Sequence, residues 1–185
     1  MIPLLLRNTL LDLERVLVEN VEIWTADFLL KSPLDKGAVP VPPTIYQGYV
    51  PSIAVGQNMV PKAPSIAIKA MAGRWKREYG KAEVHFAILT WDPDVSRAGY
   101  QDLHNLGWRI MNGLYEQGPY TQYFQMTDEE LLFEHIEDPD VDFFPYFTAH
   151  IQAEFGIGTP VPNHAPYGDV GPDTIKVSSE SSFMP

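Results

Sequence analysis

The chain has 185 residues, a formal net charge of −11 and no cysteine, so a disulfide framework, a thiol nucleophile and a thiolate metal site are all excluded. Its hydrophobic content of 45% suits one globular domain with extensions. The acidic balance disfavours a scaffold that grips nucleic acid phosphates over a broad surface, which needs clustered lysine and arginine, but leaves room for a wall that DNA slides past.

Leu6, Leu10, Leu13, Leu17 and Val21 recur at spacings of three and four, which predicts an amphipathic helix starting near Leu4 with Asp12, Arg15 and Glu19 towards water. Leu10, Leu13 and Leu17 are core candidates on its apolar stripe. The segment from Val21 to Phe28 is β-branched and aromatic and reads equally as a short strand or as more helix. Arg7 and Asp12 interrupt the apolar start, which lacks the basic opening and cleavage site of a secretory signal, and no stretch approaches the roughly 18 apolar residues of a membrane span. The expectation is a protein made and used without export.

Between Lys31 and Pro64 stand Pro33, Pro40, Pro42, Pro43, Pro51, Pro61 and Pro64, too many for a helix or for interior strands. Only Thr44 to Val50 reads as a strand there. An extended arm or a long loop with a small hairpin is expected, and a binding role or none fits it equally. Pro64 to Met71 alternates, with Ile66 and Ile68 on one face, and predicts a strand of the main sheet. Arg74, Trp75, Lys76 and Arg77 then form a basic, aromatic hairpin tip on an acidic chain, a candidate interface for an acidic partner or DNA phosphate unless it is simply a solvated strand end.

Lys81 to Asp92 is a strand with one apolar face of Ala82, Val84, Phe86 and Ile88, the last three being core candidates, against Glu83, His85, Ala87 and Leu89 on the other. Asp92-Pro93-Asp94 ends it, because proline cannot donate to a ladder and aspartate favours a turn. A helix follows with Tyr100, Leu103, Leu106, Ile110 and Leu114 as its apolar stripe, and Leu103, Ile110 and Leu114 as core candidates covering the strand. Gly118-Pro119 closes it. Gly99, Gly107 and Gly113 each cost about 1 kcal/mol relative to alanine inside a helix, which marks them as places of close approach.

Tyr120 to Gln125 and Leu131 to Ile136 read as two strands separated by a turn at 127–130. Pro145 to Phe155 is the clearest later strand, with Phe147, Ala149, Ile151, Ala153 and Phe155 on one face; Phe147 and Ile151 are core candidates. The predicted fold is α+β: a single four- or five-stranded antiparallel or mixed sheet flanked by the N-terminal and central helices, in a domain over residues 1–156 with the proline-rich 31–64 insertion. Residues 157–185 are Gly, Pro, Asn and Ser rich, and a mobile or extended tail is expected.

Chemistry finds little purchase. Glu134, His135, Glu137, Asp138, Asp140 and Asp142 form the densest set of ligands for a hard metal such as magnesium. Yet Asp138-Pro139-Asp140-Val141-Asp142 matches only the opening of a calcium loop, without its central glycine and closing glutamate, so an acidic solvated loop is the better description. His85, His104, His135, His150 and His164 show no paired metal-ligand spacing and read as structural polar groups. There is no phosphate-binding loop, nucleophile elbow or dinucleotide fingerprint. No catalytic, cofactor or metal residue is assigned, and a non-enzymatic role is expected.

The helix ending near Asn20, the strand PSIAIK at 64–69, the strand KAEVHFAILTWD at 81–92, the helix GYQDLHNLGWRIMNGL at 99–114 and the strand PYFTAHIQAEF at 145–155 together resemble the tail terminator proteins of long-tailed bacteriophages, the lambda-type terminator and its relatives. The resemblance covers roughly residues 1–156; the proline-rich insertion and the long tail depart from it. It implies a structural virion protein that forms a homo-oligomeric ring, a hexamer, at the head-proximal end of the tail. Such a ring ends tube polymerisation and offers a head-attachment surface. The implied partners are other copies of the chain, the tail tube protein and a head connector or neck protein. DNA would pass through without specific binding, no membrane is involved, and assembly would take place in the host cytoplasm. A neck or stopper protein of the head-to-tail interface is the alternative, and a metal-dependent hydrolase using residues 134–142 a more distant one.

Overall fold

The structure, a computed structural model, describes residues 4–34, 39–55, 58–75, 79–94, 98–116, 124–127, 131–136 and 143–158. In chain order these form α1 (Leu4–Thr25), β1 (Thr44–Gln47), β2 (Ser52–Val55), β3 (Asn58–Pro61), β4 (Ser65–Trp75), β5 (Tyr79–Trp91), α2 (Ala98–Glu116), β6 (Phe124–Met126), β7 (Leu132–His135) and β8 (Tyr146–Gly158). The architecture is α+β. One sheet has six strands in the order β1-β4-β5-β8-β6, with β7 also paired to β8, so it is one strand larger than the upper expectation. It is mixed because β1 runs parallel to β4 whereas every other pair is antiparallel.

The centre of the sheet follows from alternation. β5 and β8 pair from Tyr79 with Gly158 to Trp91 with Tyr146, which sets Val84 opposite Ala153, Phe86 opposite Ile151 and Ile88 opposite Ala149. Directly opposed residues share a face, so these side chains make one dry surface. α2 lies on it and α1 on the neighbouring β4 and β1, and Leu13, Leu17 and Val21 of α1 with Leu103, Leu106, Ile110 and Leu114 of α2 join that surface in a single core. Among the core candidates, Leu10 and Phe147 are only partly buried and pack at its margin, while the other nine are buried.

Four sequence expectations need correction. The residues after Asn20 continue α1 to Thr25, because Val21 and Trp24 stay on the buried stripe. Tyr100 leaves the core stripe and lies exposed against two histidine rings. The 31–64 region holds the small hairpin expected there, β2 paired antiparallel with β3 in a separate two-stranded sheet, but its strands lie outside 44–50, the one stretch that reads as a strand. The boundary expected at residue 156 falls inside β8, where Ile157 is buried opposite Gly80. Gly118-Pro119, residues 120–123 and the tail from Thr159 lie outside the described residues.

One edge of the sheet is finished by a side chain. β1 ends with Gly48 N–H donating to Ile68 O at 2.8 Å, and the chain then turns away from β4. The backbone N–H of Ala70 is met instead by Glu14 Oε1 at 2.8 Å, while Gln47 Nε2 donates to Glu14 Oε2 at 3.0 Å. A bulge at Met71 follows at once, where the register of β4 on β5 slips. Glu14 is only 7% exposed, yet both of its oxygens are satisfied. That is the condition under which a buried carboxylate is tolerated.

The glycines of α2 do mark close approaches. A Cβ on Gly99 would strike the ring of Phe147, one on Gly107 the ring of Phe133, and one on Gly113 would stand no farther than 2.8 Å from three ring atoms of Trp24. Gly113→Ala should therefore lower stability by about 1–2 kcal/mol in urea melts, because overpacking outweighs the roughly 1 kcal/mol that alanine adds to helix propensity. Gly73→Ala, where the nearest atoms lie at 3.7 Å, should be close to neutral. Ile110→Ala should cost about 2–5 kcal/mol as a fully enclosed core deletion. A Gly113→Ala protein as stable as the parent would mean that Trp24 can leave α2 without loss.

Candidate functional site

The face of the sheet turned away from the helices carries the polar half of each alternating strand. Lys81 pairs with Glu154, Glu83 Oε1 lies 2.8 Å from His85 Nε2 and accepts from Gln152 Nε2 at 2.7 Å, and His150 Nε2 stands 3.6 Å from Glu134 Oε2. The rings of His85 and His150 stack with centroids 5.6 Å apart. Thr127 Oγ1 donates to Glu154 Oε1 at 3.1 Å, and the hydrogen bond from Lys81 holds the Glu154 carboxyl below its ordinary range. Opposite charges in adjacent rows offset one another, so this is a balanced polar surface despite the net charge of the chain.

The basic hairpin tip is only partly in view. Arg74 lies exposed near the end of β4, opposite Lys81, and its charge reaches Glu154. Trp75 closes the strand; its side chain, Lys76 and Arg77 lie outside the described residues. The candidate metal segment is split by the strand itself. In β7, Glu134 is opposite His150 on the polar face, whereas His135 is opposite Ala149 and faces α2. Residues 137–142 lie outside the described residues, and among the described residues no three histidine, aspartate or glutamate side chains come together to hold an ion.

Periodicity gave no sign of what His104 and His135 do. Their Nε2 atoms meet at 2.9 Å although 31 residues separate them. Tyr100 stacks on the His135 ring at 4.5 Å and meets the His104 ring edge-on at 4.9 Å, and Phe133 touches both from below Gly107. Only pairing of β7 with β8 under α2 brings these rings together.

At the far end of the sheet Asp92 is fully buried. Its Oδ1 accepts from Lys31 Nζ at 2.7 Å and from the Asp94 N–H at 3.0 Å, while Oδ2 has no hydrogen-bond partner among the described residues. Hydrogen bonding to Asp92 raises Lys31 above its usual range. Burial, with the Asp92 charge next, pushes the Asp102 carboxyl up, and Lys31 opposes that rise. This corner holds the turn between β5 and α2, helped by Thr90 Oγ1 donating to Gly99 O at 3.3 Å.

A carboxyl raised in the folded state binds its proton more tightly there than in the unfolded chain, so stability falls as pH rises through the folded value. Asp102→Asn should thus be more stable than the parent at neutral pH, and the gain should vanish once pH drops below the ordinary carboxylate range. Urea midpoints at neutral and acid pH measure this. A variant less stable at neutral pH would mean that Asp102 acts chiefly as a partner for Lys31.

No helix among the described residues is long and apolar enough to cross a membrane. Compared with models of known protein families the chain matches none, and comparison with curated proteins likewise finds no match.

Proposed function

We propose that this chain is a structural subunit of a ring at the head-proximal end of a phage tail, a tail terminator that stops tube growth and offers a surface for head joining. The observation that carries the proposal is the resemblance of the strings at 64–69, 81–92, 99–114 and 145–155 to that family, in an order that falls on β4 and β5, then α2, then β8, with the three strands in one sheet. Strand, helix and closing strand in that sequence favour a terminator over a neck or stopper protein.

Two features of the subunit support a ring. A closed ring is built by heterologous contact, so each subunit needs two different surfaces on separate sides. The sheet has two such edges: β1 on one side, with Tyr49 just beyond it 74% exposed, and β7 on the other, with Leu132 and Ile136 exposed by 43% and 46%. Apolar side chains at strand edges are a liability for an isolated subunit and are normally covered. Association also explains how a weak contact with a tube end becomes firm, since six linked contacts act at high effective concentration.

Phage lacking the gene should make filled heads without tails, together with tails of excessive or irregular length, and purified protein should restore joining to tubes that are not overgrown. Ile136→Lys, at an exposed position, should fold normally by circular dichroism and urea melting yet fail in this rescue. Uniform tails correctly attached to heads in the mutant phage would overturn the proposal. Full rescue by Ile136→Lys would remove the β7 edge from the ring contact.

A further inference from the structure

His104 and His135 present two imidazole nitrogens to each other across the gap between α2 and β7. At 2.9 Å one Nε2 must donate and the other accept, so the two ring nitrogens face each other. Their planes are set from outside: Tyr100 lies nearly parallel to His135, with 15° between the rings, and Phe133 stands at 90° to it. Two nitrogens bound tetrahedrally to one ion at about 2.0–2.1 Å each would lie roughly 3.3 Å apart. The nitrogens therefore have to separate by only a few tenths of an ångström to admit a metal, with the rings turning so that both lone pairs point at an ion beside the line joining them. The ring that donates would move its proton to Nδ1 through solvent, leaving both Nε2 lone pairs for the ion.

We infer that His104 and His135 form a two-histidine site for a borderline divalent cation of the zinc, nickel or copper type, clipping the middle of α2 to the edge strand β7. Imidazole prefers these ions to magnesium or calcium, which take oxygen ligands. The two imidazoles fill two of the four positions of a tetrahedral ion, and among the described residues no third histidine, aspartate or glutamate joins them. The inference does not depend on ring formation. It also differs from the oxygen-ligand metal site suggested by the acidic run at 134–142, because it uses ring nitrogens and divides His135 from Glu134 across the strand.

Calorimetric titration of the full chain with zinc chloride alone, and separately with nickel chloride, should show one ion bound per chain, with no comparable heat from magnesium chloride. His104→Ala and His135→Ala should each weaken zinc binding by at least about tenfold, the lower end of what even outer-shell losses cost a metal site. His85→Ala and His150→Ala should leave it unchanged. Zinc should raise the thermal midpoint of the parent protein in a concentration-dependent way, because it binds only the folded pair, and should not do so for His104→Gln, which keeps the size and polarity of the side chain. Zinc affinity untouched by either alanine variant, loss of binding only in the His85 or His150 variants, or magnesium binding as tightly as zinc would each overturn the assignment.

Discussion

Everything in this molecule hangs on the antiparallel pairing of β5 with β8. It is the longest contact in the sheet, and its in-register alternation turns two half-apolar strands into one dry surface. A one-residue slip would send Val84, Phe86 and Ile88 to the polar side and bring Glu83 and His85 under the helices. The other strands attach to this pair from outside, β4 and then β1 on one side, β6 and β7 on the other. α2 packs directly on this pair, while α1 packs on β4, β1 and α2, and the two stripes meet the sheet in one continuous core.

The close seating of α2 is the second constraint. Three glycines accept rings from three different elements: Phe147 of β8, Phe133 of β7 and Trp24 of α1. A helix with alanine at these places would be intrinsically firmer but would stand off from the sheet. The same helix is anchored to the end of α1 by Arg109, which donates to Trp24 O and to Asp27. A guanidinium at a helix C-terminus is favourably placed against the dipole and takes up carbonyls that the helix leaves unpaired. Rings, glycines and this cation together bind the two helices to one another as well as to the sheet.

Polar groups are buried where the backbone would otherwise be left unpaired. Glu14 replaces a missing strand partner at the β1 edge, and Asp92 holds the turn from β5 into α2 with Lys31 as its cation. These residues finish edges and corners. Charges on the uncovered sheet face form a network of opposite signs, Lys81 with Glu154 and Glu83 with His85, that stays at the surface.

Much of the fold was legible because strand and helix periodicities are local. The stripes at 10–21 and 103–114 and the alternation at 64–71, 81–92 and 145–155 name most of the core from residues a few positions apart, and even the three α2 glycines announce close contacts by being poor helix formers. Local pattern could not settle the C-terminal end of α1, since β-branched residues suit helix or strand until something covers them. Nor could it place the strands of the expected hairpin, β2 and β3, among the prolines, or predict that Glu14, flanked by exposed Asp12 and Arg15, would be enclosed. His104 and His135 are the clearest case: 31 residues apart, they become neighbours only when β7 pairs with β8 beneath α2. The sequence by itself determined which faces are apolar, because that is written at spacings of two and three to four residues. Only the tertiary structure decided which polar side chains meet, because such meetings depend on strand register and on how closely a helix can approach, and both are set by contacts distant in the chain.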